Sequence, residues 1–251
     1  MNKDGLVTQL SININKIATL RNARGKNNPD VLAWAKTLVA YGADGITVHP
    51  RPDGRHIRID DVYALADNLD VELNIEGYPT QDFLDLIQAV KPAQCTLVPD
   101  PPDVLTSNAG WKLHHNQQQL RDVVSFLHQQ SARVSLFVDP YDLSAADLDC
   151  LDYINPDRVE LYTEAYAAAY GTSNESAVLH VYQQAAHEFL QRGIDLNAGH
   201  DLNVENLPRI LREIPDIKEV SIGHALICDA LQWGMEETVK RYLQAVHSND
   251  K

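Results

Sequence analysis

Residues 42–56 read GADGITVHPRPDGRH. Gly42 ends a helix and Ile46–Val48 form a short apolar strand, after which the chain turns abruptly polar. His49, Arg51, Arg55 and His56 arrive within eight positions, held in a turn by Pro50, Pro52 and Gly54. A strand that ends in a titratable base and a bidentate cation reads as the rim of an active site. Alone, the stretch also fits a solvated basic loop. Recurrence of the pattern along the chain decides between the two.

Working outward, Gln9–Ile14 alternates apolar and polar residues as a first strand does, and NKIATLRNARG after it reads as a polar loop carrying Lys16, Arg21 and Arg24. Asn28 is placed to cap a helix with Pro29 at its first position and Val31, Trp34, Ala35, Leu38 and Val39 as its apolar stripe. Further strands are predicted at 45–49, 71–76, 94–98, 133–138, 158–162, 194–198 and 218–222. Helices fall between them, near 60–69, 80–90 (capped by Thr80), 117–130, 144–151 (a Ser144–Asp147 capping box), 175–192, 203–214 (capped by Asn203) and 225–246. The stretch 99–116, containing PDPPD, is long enough to be a lid or binding loop.

Eight strands alternating with eight helices, at roughly 31 residues per unit and with no break in composition, indicate one closed (β/α)₈ TIM barrel spanning 1–251 as a single domain. An open doubly wound sheet is the alternative, but no GxGxxG follows the first strand. A net charge of −14 argues against nucleic acid and anionic membrane surfaces as main partners. No apolar run approaches the ~18 residues of a membrane span, and the first ten residues contain no apolar leader core. Cys95, Cys150 and Cys228 are odd in number, far apart and without a CxxC pair, which fits reduced thiols in a cytoplasmic protein.

In such barrels the site lies where strands hand over to the following loops. The predicted strand ends deliver Asn13 and Asn15, His49 and Arg51, Glu76, Asp139, Glu160, His200 and His224, so six of the eight carry a charged or titratable group. NAGH at 197–200 and SIGH at 221–224 repeat one pattern of strand, Gly, His and helix. Glycine lets backbone N–H groups approach an anion, which points to Gly199, Gly223 and His224 as a phosphate cradle. Arg24, Arg51 and His56 suit a second anion grip. Two phosphate grips flanking His and Glu groups suggest proton transfers on phosphorylated carbonyl compounds. A His with a pKa near the operating pH would act as base in one step and acid in another. No HxH or HExxH spacing supports a metal site.

These stretches also resemble a known family, the pyridoxine 5′-phosphate synthases. The resemblance is carried by IATLRNARG (17–25), ADGITVHPR (43–51), RHI (55–57), LNIE (73–76), LVP (97–99), VSLFVD (134–139), VELYT (159–163), NAGH (197–200) and IGHA (222–225), in the family's order over nearly the whole chain. It implies a barrel with extra helices, assembled as a homo-octamer. The implied enzyme is a transferase-type ring-closing synthase that condenses 1-deoxy-D-xylulose 5-phosphate with 3-amino-2-oxopropyl phosphate and uses neither metal nor organic cofactor. By position it implies His49 and Glu76 as proton acceptors, His200 as donor and Glu160 as the stabiliser of the transition state. Asn13, Gly223 and His224 then match ligands of the aminoketone phosphate, and Arg24, Arg51, His56 and Thr106 those of the deoxyxylulose phosphate.

The chain departs from the family at three positions. NIDH becomes Asn13-Ile14-Asn15-Lys16, so a carboxylate becomes neutral and a His becomes a permanent cation; AGHG becomes AGH followed by Asp201. Asn15, Lys16 and Asp201 are placed with the substrate-binding residues, their individual roles open, and phosphate binding with an altered pH dependence is expected. A sugar-phosphate isomerase or aldolase would need a Schiff-base lysine at a strand end, where only Lys16 comes near. A barrel that binds phosphate without turnover is the non-enzymatic alternative.

Overall fold

The computed structural model describes residues 7–99 and 109–249. Its centre is a closed ring of parallel strands: β1 (Gln9–Asn13), β2 (Gly45–Val48), β3 (Glu72–Gly77), β4 (Gln94–Leu97), β5 (Arg133–Val138), β6 (Arg158–Tyr162), β7 (Asp195–Gly199) and β8 (Ile217–Ile222). Each pairs with the next, and β8 closes on β1 through Gln9↔Glu219 to Ile12↔Ile222. The ring is wrapped by α1 (Asn15–Asn22), α2 (Val31–Ala40), α3 (Ile59–Asn68), α4 (Gln81–Val90), α5 (Leu113–Gln129), α6 (Ala145–Asp149), α7 (Leu151–Ile154), α8 (Glu164–Ala169), α9 (Glu175–Gln191), α10 (Leu207–Glu213), α11 (His224–Trp233) and α12 (Met235–Val246). The predicted (β/α)₈ TIM barrel is the observed fold.

Alternation along the strands explains how it packs. One residue in two is apolar and buried under the helices: Leu10 and Ile12, Ile46 and Val48, Leu73 and Ile75, Val134 and Leu136, Val159 and Leu161. The intervening residues point into the barrel, and most are polar, Phe137 and Tyr162 near the rim being exceptions. Barrel interiors are usually filled by bulky branched residues. Here Ser11 and Thr47 share a hydroxyl hydrogen bond of 2.7 Å, and Thr96 Oγ1 donates to Asn74 Oδ1 at 3.1 Å. One layer below, Gln94 Nε2 on β4 reaches across the ring to Glu219 Oε1 on β8 at 3.1 Å. Arg158 Nη1 donates to Asn197 Oδ1 at 3.0 Å and to Glu219 Oε2 at 3.3 Å, while Arg133 pairs with Glu72. Buried charges are tolerable in this setting because each meets an opposite charge and further hydrogen bonds.

Several local expectations need correction. The segment read as a polar loop after β1 is helix α1. Ile17, Ala18 and Arg21 form its buried face, and Arg21 is only 2% exposed because it pairs with Asp61 and donates to the His56 carbonyl at 3.1 Å. The cap of α2 is Asp30, which accepts from Ala33 N at 2.9 Å, and the cis Asn28–Pro29 bond precedes the helix. Asn203 forms a turn ahead of α10, accepting from Glu205 N and Asn206 N, while the helix starts at Leu207. The last predicted helix is two, because Gly234 adopts φ +78° between α11 and α12. Thr80 and the Ser144–Asp147 box cap as predicted.

Removing Glu219 strands Arg158 in the interior. Glu219→Ala is expected to cost about 3 kcal/mol of stability, the usual scale for breaking one side of a buried pair. A urea midpoint equal to the parent's would show that the interior network contributes little.

Candidate active site

At the C-terminal ends of the strands, backbone and side-chain hydrogen bonds tie three elements into one frame. Asn13 Nδ2 at the end of β1 donates to Glu76 Oε2 on β3 at 3.2 Å. Asn13 Oδ1 accepts from Asn15 N at 3.0 Å, and Asn15 Oδ1 accepts from His49 N at 2.9 Å. The Asn15 side-chain amide oxygen is thus committed to holding the start of the His49 loop. Lys16, the next residue of α1, is exposed.

Glu160 on β6 is 3% exposed, and its Oε2 finds no hydrogen-bond partner among the described residues. The Thr96 hydroxyl faces it across the ring. Gly199 on β7 leaves room for this carboxyl, because a Cβ there would crowd Glu160 Oε1. Burial, then the neighbouring Glu76 and Glu219 carboxylates, push the Glu160 pKa well above the usual carboxylate range. Glu76 is raised to about 7, by burial first and by Glu219, against the opposing pull of His200 and the Asn13 hydrogen bond. Two carboxyls sharing a dry chamber do not both ionise readily.

The histidines differ from the sequence expectation. Burial, then His56, Arg51 and Arg55, lower His49 to about 3. It is neutral at physiological pH, free to accept a proton but a weaker base than an ordinary imidazole. His56, 6.0 Å from the His49 ring centroid, is lowered to about 4 by burial, Arg51 and Lys16. Its Nδ1 is buried without a hydrogen-bond partner among the described residues. His200 follows β7 with φ +86°, its ring edge-on to Tyr162 at 5.1 Å and its Nδ1 2.7 Å from Asp201 Oδ2. Gly223 and His224 start α11, where His224 is exposed and its Nε2 lies 3.6 Å from Cys228 Sγ.

A cavity of about 320 Å³ opens beside His49 and Arg51, walled by Arg58, Tyr78, Thr80 and Phe83. Sequence reasoning missed Arg58 and Tyr78. Both were within reach of it: Arg58 continues the RHIR run, and Tyr78, stacked on Trp111 at 5.8 Å, lies two positions past Glu76. Arg24 is exposed past the end of α1 and is absent from this wall, whereas Arg51 and His56 come together. Thr106 lies outside the described residues. Asp139 accepts from Tyr141 N at 2.9 Å as the cap of a short turn. Among the described residues no three His, Cys, Asp or Glu side chains gather to hold a metal ion, and no helix is long and apolar enough to cross a membrane.

A family model described as "Pyridoxal phosphate biosynthesis protein PdxJ" matches residues 10–248. The chain belongs to the PdxJ family. Among relatives, the pyridoxine 5′-phosphate synthase of Parabacteroides distasonis is 49% identical over 242 residues, covering 96% of this chain and all of that protein. The synthase of Porphyromonas gingivalis is 51% identical over 239 residues, covering 94% of this chain and 98% of that one. Solved structures add the fold alone. Thermotoga maritima phosphoribosylanthranilate isomerase superposes with a TM-score of 0.59 at 14% identity, over 96% of this chain and 99% of its own.

In this PdxJ member the raised Glu76 makes stability pH-dependent. The folded state keeps a proton on Glu76 up to about pH 7 that the unfolded chain releases near the ordinary carboxyl value, 4.5. Ionising it in the fold therefore costs stability as pH rises through that window. Glu76→Gln is expected to raise the melting temperature at pH 8 and to change it far less at pH 4. Equal shifts at both pH values would remove the buried-acid account.

Proposed function

We propose that this PdxJ protein is a pyridoxine 5′-phosphate synthase, joining 1-deoxy-D-xylulose 5-phosphate to 3-amino-2-oxopropyl phosphate with release of phosphate and water. The observation that carries the reading is the strand-end frame in which Asn13 holds Glu76 and Asn15 holds the His49 backbone, with the buried Glu160 carboxyl also raised by Glu76. The names of relatives that match nearly end to end support it.

Imine formation, elimination of phosphate and ring closure need protons removed from and returned to several carbons. Neutral His49 takes protons without a charge to desolvate. Glu76 takes them once ionised, which its elevated pKa allows near neutral pH. His200 returns them. Glu160 enters uncharged and gives its proton to the Schiff-base nitrogen, so the iminium that forms faces the carboxylate left behind. Asn13, Gly223 and His224 receive the aminoketone phosphate. Arg51 and His56 receive the other phosphate, to which the family resemblance adds Arg24 and Thr106, with Lys16 adding charge at the same end; the Lys16 influence on His56 supports that placement. The chemistry is acid/base work by the chain's own groups, with no cofactor assigned. The enzyme is proposed to act in the cytoplasm as a homo-octamer. The free thiols of Cys95, Cys150 and Cys228 fit the first point, and the family resemblance implies the second.

Metal-stripped protein given both substrates is expected to yield pyridoxine phosphate and inorganic phosphate one to one, and neither product when one substrate is withheld. Saturable binding without product would point to a barrel that only binds phosphate. Glu76→Gln should lower turnover at least ~10²-fold, the scale of one general base, while substrate still binds. Near-normal turnover would take Glu76 out of the mechanism.

A further inference from the structure

His200 and Asp201 are adjacent in sequence, yet their side chains meet: Nδ1 and Oδ2 are 2.7 Å apart. An ionised carboxylate offers only acceptors, so the proton in this hydrogen bond sits on Nδ1. The contact depends on an unusual backbone, since His200 is one of four non-glycine residues with positive φ among the described residues. That left-handed turn folds the imidazole back towards its own neighbour. Apolar side chains fix the ring from the other sides. Tyr162 meets it edge-on at 5.1 Å, and Phe137 lies 6.2 Å away at 54°. With Val98 these two form a small separate apolar cluster. The Asp201 backbone is held in turn: Asn206, 1% exposed, donates from Nδ2 to the Asp201 backbone carbonyl at 3.4 Å and accepts from Asn203 N at 2.8 Å. A ring held on its edge and at one nitrogen keeps a single orientation.

We propose that Asp201 is a positioning residue for His200. Its carboxylate holds the Nδ1 proton and the ring plane, so Nε2 becomes the nitrogen that passes protons to substrate, and Asp201 acts through His200 and does not touch substrate itself. The inference rests on the synthase reading, in which His200 is the proton donor. The same arrangement of carboxylate, imidazole and substrate orients the histidine of hydrolytic triads, where the acid fixes tautomer and orientation without taking the proton.

Three proteins test it: Asp201→Ala, His200→Asn and the double variant, each assayed at steady state and compared with ¹⁵N-histidine spectra. Asp201→Ala is expected to lower kcat by about 10²-fold, less than the roughly 10⁴-fold lost when the buried orienting acid of a triad is changed, and to leave KM for both substrates within about twofold. In the His200→Asn background the same change should cost less than about twofold, because residues acting as one unit are not additive. The wild-type spectrum should contain one imidazole, absent in His200→Asn, whose Nδ1 carries the proton, and Asp201→Ala should redistribute that proton. A raised KM with intact kcat would make Asp201 a substrate ligand and overturn the proposal. So would a full-sized loss in the His200→Asn background, or a wild-type His200 with a bare Nδ1. If wild-type protein makes no product, the synthase reading falls, and the imidazole spectrum alone still decides whether Asp201 positions His200.

Discussion

The hydrogen-bonded interior of the barrel is the constraint on which the rest of the molecule depends. Filling the ring with Ser11, Thr47, Asn74, Thr96 and Gln94 gives up apolar burial at the centre, so stability comes from the outer layer between strands and helices. It also makes partners valuable inside the ring, because an unpaired polar group there costs more than its net hydrogen bond would contribute. Gln94 shows the density required. Its side chain touches Glu219, Arg133 and Arg158, joining β4, β5, β6 and β8 into one network.

That interior sets the electrostatics of the mouth. Glu219 lies at the base of the ring and is itself raised by burial, against Arg158 and Arg133. Glu160 and Glu76 stand above it and are both raised, in part by its charge. A stack of carboxyls along one axis, only the lowest paired with arginines, favours protons on the upper two. An apolar interior would also desolvate Glu76 and Glu160, but it would supply neither the Thr96 hydroxyl nor the Asn13 amide that orient them. Acid/base capacity at the rim is thus a property of the whole barrel.

Much of this was legible in the chain. Strand ends are where the side-chain row that faces the interior emerges, so reading Asn13, His49, Glu76, Glu160 and His200 at strand ends found groups the fold gathers at one mouth. The failures have physical causes. Helix α1 looked like a loop because Arg21 reads as surface, and only its distant partners Asp61 and His56 explain its burial. Asp30 displaced Asn28 as a cap because capping is decided by which side-chain oxygen reaches an N–H, and two neighbouring candidates differ only in backbone geometry. The neutrality of His49 was beyond sequence altogether, since it follows from burial and from cations that converge only after folding.

The two N-terminal departures from the resembling family make sense in the same terms. At position 15 the structural need is an acceptor for His49 N, and an amide oxygen meets it as well as a carboxylate would. A carboxylate there would add another negative charge beside Asn13, the partner of Glu76, and so drive Glu76 still further from ionising near neutral pH. Asn15 keeps the frame and omits that charge. Lys16 acts on the opposite end of the chamber, where its permanent cation joins Arg51 in keeping His56 neutral. Removing an anion near the carboxyl pair and placing a cation near the imidazole pair both favour ionised Glu76 and uncharged histidines over a wider span of pH. Both departures thus fall beside groups whose protonation the fold already biases, Glu76 through Asn13 and His56 directly.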